Sequence, residues 1–339
     1  PEAHLFRVTL TIPSPQVSGE TLSLPAWIPG SYMIREFAKN LVEIHARQGE
    51  CRVVLNQLDK HSWRTGRLDA AEPLIVETLV YAWDLSVRCA HLDQGHGFFN
   101  GTQLCLKVEG REALPHRVAI CRPAGEAYAS WRLATTLPGL ELDEAGFGLR
   151  QAGDYDELID HPVEMGSFVA LHFEATGVPH EMVITGRVSF DAERLATDLK
   201  CACEAVIALF GAPPPFERFL FLTMAVGDGY GGLEHRDSTA LICSRNDLPA
   251  PGMAKMSEAY RTFLGLCSHE YFHAWNVKRI KPAAFSPYRL HEENYTRLLW
   301  VFEGFTSYYD DLCLRRAGLI SREDYFALIA KTMTAVERG

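Results

Sequence analysis

The segment His269–His273 reads H-E-Y-F-H, which is an H-E-x-x-H pattern. Two histidines four residues apart project from the same side of a helix, so both imidazoles can bind one zinc ion. Glu270, between them, is placed to act as a general base that takes a proton from the attacking water. The pattern therefore predicts a catalytic zinc site on a helix.

Glu303 is the candidate for a third zinc ligand. A carboxylate from a second helix completes three protein ligands and leaves one position open for water and substrate, as a catalytic zinc requires. The chain has 13 histidines in 339 residues. In such a chain an accidental H-E-x-x-H arises at a frequency of roughly a few per cent, so the match needs structural context.

The apolar residues of Met253–Asn276 supply that context, because they repeat with helical spacing. They are Met253, Met256, Tyr260, Phe263, Leu264, Cys267, Tyr271 and Trp275. At about 100° per residue this stripe is centred opposite His269 and His273. The sequence predicts a helix that buries one face and presents both histidines on the other.

A similar pattern occurs in Glu292–Arg316. Its apolar stripe consists of Leu298, Val301, Phe305, Tyr308 and Leu312. Glu303 lies about 180° from the centre of that stripe, so we expect a second amphipathic helix with Glu303 facing the histidines. Ligating histidines usually donate their other N–H to an acceptor. Thr306, Ser307 and Asp310 are alternatives for that acceptor.

Composition limits the class of protein. A chain of this length favours two domains, and 47% hydrophobic with 22% charged residues is typical of a soluble globular protein. No apolar run approaches the about 18 residues of a membrane span. The net charge of −10 argues against a nucleic-acid surface and favours cationic partners, such as the free amino termini of peptides.

The 9 cysteines are scattered and odd in number. They do not form a disulfide framework, so a reducing compartment, the cytoplasm, is expected. No signal sequence is visible. The chain starts at Pro1, without Met, so removal of an upstream segment stays open.

The first half of the chain reads as β-structure. Strand-like runs occur at His4–Ile12, Leu74–Tyr81, Gln103–Val108, Arg117–Cys121 and Ser167–Phe173. An N-terminal β-sandwich-like domain over residues 1–165 is the simplest account.

The second half, residues 166–339, mixes helices and strands. The expected elements are the strand Met182–Phe190, the helix Asp191–Leu209, the strand Phe219–Val226, the two site helices, and a last helix, Tyr325–Val336, opened by a capping box at Ser321–Asp324. This last helix runs nearly to the chain end, so we expect the catalytic domain to be truncated at its C-terminus. The fold class is multidomain α and β.

Residues 227–232 contain a G-x-G-x-x-G. A dinucleotide site needs a helix that opens at this point, whereas Leu233–Cys243 reads as an extended edge, so nucleotide binding is rejected. Gly231 and Gly232 instead allow the backbone to pass close to a substrate. Glu234, beside them, is a candidate for binding a substrate ammonium group.

Tyr155–Glu164 is rich in carboxylates at the predicted domain junction. A polar turn into the next domain is the simpler interpretation. The alternative, that Glu164 or a neighbouring residue reaches the cleft and helps to bind an amine, stays open.

Three segments together resemble the glycyl aminopeptidase family of zinc peptidases. They are G-G-L-E-H at 231–235, H-E-Y-F-H-A-W-N-V-K-R at 269–279 and W-V-F-E-G-F-T at 300–306. The resemblance covers essentially the whole chain. It implies a relative of the aminopeptidase N class, with a thermolysin-like catalytic domain behind an N-terminal β domain.

The resemblance also implies roles for individual residues. It places one zinc ion per chain on His269, His273 and Glu303, with Glu270 as the general base. Residues 231–235 resemble the G-x-M-E-N loop whose glutamate binds the free amino terminus of the substrate, which implies that role for Glu234. Leu233 and His235 stand where that loop has Met and Asn.

Relatives also carry a tyrosine further along the chain that donates to the tetrahedral intermediate, and they often end in a PDZ domain. Neither has a counterpart before Gly339. The expected function is a zinc-dependent aminopeptidase that removes small N-terminal residues, such as Gly or Ala, from peptides. The alternative is a catalytically weak or inactive peptide-binding or scaffolding protein that retains the zinc site.

Overall fold

The computed structural model describes residues 1–338, which form two compact units. Unit 1 comprises Pro1–Ser167 and Pro287–Tyr295, and unit 2 comprises Phe168–Ser286 and Thr296–Gly339. The sequence pattern predicts that the whole stretch after residue 165 belongs to the second domain. The segment Pro287–Tyr295 belongs to unit 1 because the carbonyl oxygen of Leu290 accepts the N–H groups of residues 26 and 27.

Unit 1 consists of short strands in open sheets. They are β1 (Leu5–Ile12), β2 (Thr21–Ser23), β3 (Leu41–Gln48), β4 (Cys51–Val53), β5 (Leu55–Gln57), β6 (Ser62–Thr65), β7 (Leu74–Tyr81), β8 (Ala90–Leu92), β9 (His96–Phe99), β10 (Lys107–Val108), β11 (His116–Ile120), β12 (Arg132–Ala134), β13 (Gly139–Leu142), β14 (Gly148–Ala152) and β15 (Val163–Gly166), with the short helices α1 (Gly101–Leu104) and α2 (Tyr155–Ile159). The sheet orders are β1-β7-β3-β4, β10-β2-β6-β5, β11-β14-β13 and β12-β15-β9-β8.

Two of these sheets pack face to face. Alternate residues of β7 are buried, which is the period-2 pattern of a half-buried strand. Ile12 and Val76 from the first sheet share one core cluster with Leu22 and Trp63 from the second. This packing is sandwich-like, as the sequence predicted.

The strand predicted over Gln103–Val108 is wrong in its first half. Gly101–Leu104 forms α1, and only Lys107–Val108 forms a strand. The Cys105 N–H donates to the Gly101 carbonyl oxygen at 2.8 Å and closes one helical turn. All four residues of α1 are buried, so the sequence has no contrast between a polar and an apolar face that would predict this helix.

Unit 2 combines one mixed sheet with helices. Its elements are β16 (Phe168–Ala175), β17 (Val178–Thr185), α3 (Ala192–Phe210), β18 (Phe219–Val226), β19 (Gly231–Glu234), β20 (Ser238–Ser244), α4 (Glu258–Phe272), a π-helix (Trp300–Gly304), α5 (Phe305–Arg316) and α6 (Arg322–Arg338). The sheet order is β16-β17-β18-β20-β19. Strands β17, β18 and β20 are parallel, and β19 runs antiparallel to β20 at one edge.

The strand predicted at Met182–Phe190 lies earlier, at β17. Gly186 ends it, because its φ of 115° is a conformation that side chains disfavour. A Cβ atom there would lie 2.3 Å from the Ala225 carbonyl oxygen.

The predicted helices α4 and α6 both form. The Ser257 hydroxyl caps α4 by accepting the Tyr260 N–H at 3.1 Å, and the central part of its predicted apolar stripe, from Tyr260 to Tyr271, is buried in the core of unit 2. The predicted capping box opens α6, since Ser321 and Asp324 exchange side-chain to main-chain hydrogen bonds of 3.0 and 3.3 Å. None of the helices within residues 1–338 combines the length and apolarity needed to cross a bilayer.

The apolar stripe predicted for Glu292–Arg316 is wrong. Leu298, Phe305 and Tyr308 are 44%, 45% and 51% exposed. The buried residues between Leu298 and Arg316 are instead Phe302, Thr306, Cys313 and Leu314. A π-helix has more residues per turn than an α-helix, so the turn at Trp300–Gly304 shifts the phase of the residues around it.

Candidate active site

His269 and His273 lie at the C-terminal end of α4, and Glu303 lies in the π-helix. The two Nε2 atoms are 3.1 Å apart, and Glu303 Oε2 is 3.6 Å from each of them. In a tetrahedral zinc site with bonds of about 2.0–2.1 Å, two ligand atoms are about 3.3–3.4 Å apart. The three atoms therefore form a triangle of the size that one zinc ion requires. Two imidazoles and a carboxylate are also a donor set of catalytic zinc.

The outer nitrogen of each imidazole has its own acceptor. His269 Nδ1 lies 3.0 Å from Asp310 Oδ2, and His273 Nδ1 lies 2.8 Å from the Asn276 carbonyl oxygen. Because each Nδ1–H donates to an oxygen, each Nε2 lone pair is left for a metal. Asp310 is one of the three acceptors considered from the sequence. The sequence did not predict the Asn276 carbonyl as an acceptor, because every residue has a main-chain carbonyl and the residue type therefore gives no signal.

Asn276 also positions the turn that carries Glu303. Its side-chain amide donates to the Val301 carbonyl oxygen at 3.2 Å and to the Thr306 hydroxyl at 3.3 Å. The chain just after α4 is thereby tied to the π-helix. Single π-turns occur frequently at functional sites, and here the turn places Glu303 beside the two histidines.

Glu270 is buried beside the histidine pair. Its side chain packs against Gly232, where an added Cβ atom would lie 2.1 Å from Glu270 Oε1. A side chain at position 232 would therefore displace Glu270, which is a structural reason for glycine there. At Gly231 an added Cβ would meet only Ile242, at 3.6 Å.

Glu234, on the edge strand β19, is the last member of this cluster of histidines and carboxylates. It is buried, and its carboxylate lies within 4.8 Å of ligand atoms of Glu270 and His273. Within residues 1–338, Glu234 Oε1 and Glu270 Oε2 are buried without a hydrogen-bond partner. Buried carboxylate oxygens normally have partners, so both are placed to meet a cation, water or substrate.

The electrostatics of the group favour a dication. Burial, together with the smaller effect of the charges of Glu234 and Glu303, raises the pKa of Glu270 to about 7 against the lowering effect of His269 and His273. Burial lowers the pKa of His273, but Glu234 and Glu303 more than offset this and hold it above its ordinary value. A divalent cation between these carboxylates would relieve their mutual repulsion.

Replacing Asp310 by Ala should weaken zinc binding about 10–100-fold, because His269 loses the acceptor that fixes its ring and tautomer. Competition with a chromophoric chelator measures the affinity. Ser307→Ala is the matched control, since Ser307 is exposed on the same helix and should leave the affinity unchanged. Equal affinities in Asp310→Ala and the parent protein would show that Asp310 does not support the site.

Two models of known protein families match this chain. Residues 1–167 match the model of the Peptidase M61 N-terminal domain, and residues 262–339 match that of M61 glycyl aminopeptidase. A comparison with curated proteins gives no match.

Among solved structures, the aminopeptidase N family protein from Idiomarina loihiensis is 45% identical, with a TM-score of 0.96 over 100% of this chain. The chain spans 57% of the length of that protein. The M1 zinc metallopeptidase from Deinococcus radiodurans is 14% identical, with a TM-score of 0.51 over 94% of this chain and 68% of its own. At that identity the likeness concerns the fold alone. With both family models matched and a structure of this similarity, the chain belongs to the M61 glycyl aminopeptidase family of peptidases.

Proposed function

We propose that the chain is a zinc-dependent aminopeptidase that hydrolyses the first peptide bond of peptides with a free amino terminus. The observation that carries the proposal is the triangle of His269, His273 and Glu303 donor atoms, with sides of 3.1, 3.6 and 3.6 Å. Unit 2 would then be a thermolysin-like catalytic domain, in which α4 provides two ligands and the following helical segment provides the third.

In this proposal Glu270 moves the proton. When bound by the three side chains, zinc would supply the Lewis acidity that polarises the scissile carbonyl. Glu270 takes a proton from water as the oxygen attacks the carbonyl carbon. The same carboxyl then gives that proton to the leaving nitrogen as the C–N bond breaks. Its raised pKa suits a group that must both accept and release a proton near neutral pH.

Glu234 would define where the peptide begins. A buried carboxylate close to Glu270 and His273 is suited to pair with the α-ammonium group of the substrate, and that pair would set the scissile bond at the first residue. The family description names a glycyl aminopeptidase, and we extend this to a preference for small first residues such as Gly or Ala. The alternative of an inert peptide-binding protein is not favoured, since the candidate base and all three ligands lie together.

Chelation tests the proposal. The protein should hydrolyse the 4-nitroanilides of Gly and Ala, lose that activity on treatment with 1,10-phenanthroline, and regain it when Zn²⁺ is added back. Magnesium is the control, because a site with two imidazoles selects zinc over magnesium. Hydrolysis that is insensitive to the chelator, or the absence of zinc from active protein, would contradict the proposal.

A further inference from the structure

A second cluster of metal-type side chains lies in unit 1, on the hairpin formed by β8 and β9. His91 lies on β8, His96 begins β9, and Asp93 is in the turn between them. The Asp93 N–H donates to the His96 carbonyl oxygen at 2.9 Å. Residues two apart on a strand, or opposite each other across a pair, share a face of the sheet. The three side chains therefore project from one face.

This face of the sheet is buried, yet it carries several polar side chains. His91 and His96 are 4% and 5% exposed, and Glu164 from the adjacent strand β15 is equally buried. His96 Nδ1 lies 3.2 Å from Glu164 Oε1, and His91 Nε2 lies 3.2 Å from Asp93 Oδ2. Trp83 stacks on the outer side of the His91 ring, with centroids 4.7 Å apart. The two imidazoles are thus enclosed and flanked by carboxylates.

Each imidazole keeps one nitrogen without a partner among the described residues. These atoms are His91 Nδ1 and His96 Nε2. A buried polar atom left unpaired is costly, and His96, with Glu164 on Nδ1 and an open Nε2, has the usual arrangement of a metal ligand. One nitrogen from each histidine and one Asp93 oxygen lie within 4.8 Å of one another.

We propose that His91, Asp93 and His96 bind a divalent first-row transition-metal ion of the zinc type, with Glu164 supporting His96. His91 would bind through Nε2, because the 3.2 Å between His91 Nε2 and Asp93 Oδ2 already equals the spacing of two ligands on one tetrahedral ion. The ring planes of His91 and His96 are 19° apart. Binding therefore requires a turn of the His96 ring about its Cβ–Cγ bond, a torsion with a broad energy minimum.

The donor set determines the class of ion. Two imidazoles and a carboxylate suit zinc, nickel, copper and iron, while calcium and magnesium take mostly oxygen ligands. Asp93, whose side chain is 33% exposed, gives the ion access from solvent. The ion would link the tip of the β8–β9 hairpin to β15, which is a structural role. It also raises the expected content from one zinc ion per chain to two.

The test separates this site from the one in unit 2. The His269→Ala/His273→Ala variant of the full chain, equilibrated with Zn²⁺ and desalted, should retain about one ion by elemental analysis. Adding His91→Phe, which keeps an aromatic ring against Trp83, should remove that ion. The matched control is His45→Phe, because His45 is an exposed histidine beside a carboxylate; it should leave the ion bound.

A double variant without any bound ion, or a triple variant that keeps its ion, would overturn the proposal. Co²⁺ gives a check that does not depend on folding of the His91 variant. It should develop visible ligand-field absorption in the His269→Ala/His273→Ala protein, and the protein should unfold at a higher temperature with the ion than without it. Absence of both effects would also overturn the proposal. Loss of peptidase activity plays no part in either readout.

Discussion

Replacing Glu270 by Gln should lower kcat by about 10²–10⁴-fold while zinc stays bound, because general acid–base catalysis typically contributes that factor. Glutamine has nearly the same shape as glutamate and fits beside Gly232, but it cannot accept the proton of the attacking water. None of the three proposed zinc ligands is altered. The measurements are kcat and KM on an aminoacyl 4-nitroanilide, together with zinc content by elemental analysis.

Glu258→Gln is the matched control for this change. Glu258 is an exposed glutamate in the first turn of the same helix, so its replacement should leave kcat unchanged. Zinc-loaded Glu270→Gln protein with the parent rate would remove Glu270 from the mechanism. Loss of zinc along with activity would show instead that the substitution disturbs the site.

The pH profile provides a second readout of Glu270. The ionised carboxylate is the form that accepts a proton, so kcat/KM should fall as pH decreases through its pKa. Burial raises that pKa to about 7, and a nearby dication lowers it again. We therefore expect the acid limb of the profile below pH 7, and the Gln variant should lack it.

The sequence predicted the parts of the site that depend on local pattern. The H-E-x-x-H spacing and the apolar stripe of Met253–Asn276 together predicted where the histidines lie on α4. A regular helical spacing of apolar residues is sufficient to predict which face of a helix is buried. Capping residues predicted the start of α6, since the Ser321–Asp324 exchange is local. These features need no knowledge of distant residues.

The features that the sequence predicted wrongly or missed depend on tertiary structure. Glu303 lies beside the histidines, yet the stripe used to place it is exposed, because the π-helix changes the helical phase. The Asn276 carbonyl orients His273 through the turn after α4, and the segment Pro287–Tyr295 joins unit 1 through Leu290. Each outcome rests on contacts between residues that no local pattern connects.

Replacing Glu234 by Gln should impair cleavage of peptides with a free amino terminus far more than cleavage of amino-blocked peptides. Glu234 is buried at the edge strand, and its carboxylate lies within 4.8 Å of ligand atoms of Glu270 and His273. Loss of one partner of a buried charge pair costs about 2–5 kcal/mol. A loss near the middle of that range lowers kcat/KM for free-amine substrates by about 10²-fold or more.

The measurement is the ratio of kcat/KM for a free-amine peptide to kcat/KM for its N-acetylated counterpart. Glu174→Gln is the matched control, because Glu174 is an exposed glutamate of the same sheet; it should leave the ratio unchanged. Zinc content is measured in parallel, since Glu234 neighbours a zinc ligand. An equal fall for both substrates at full zinc occupancy would assign Glu234 to general support of the site. A parent protein that prefers blocked peptides would be an endopeptidase, and the carboxylate of Glu234 would then have no amino terminus to bind.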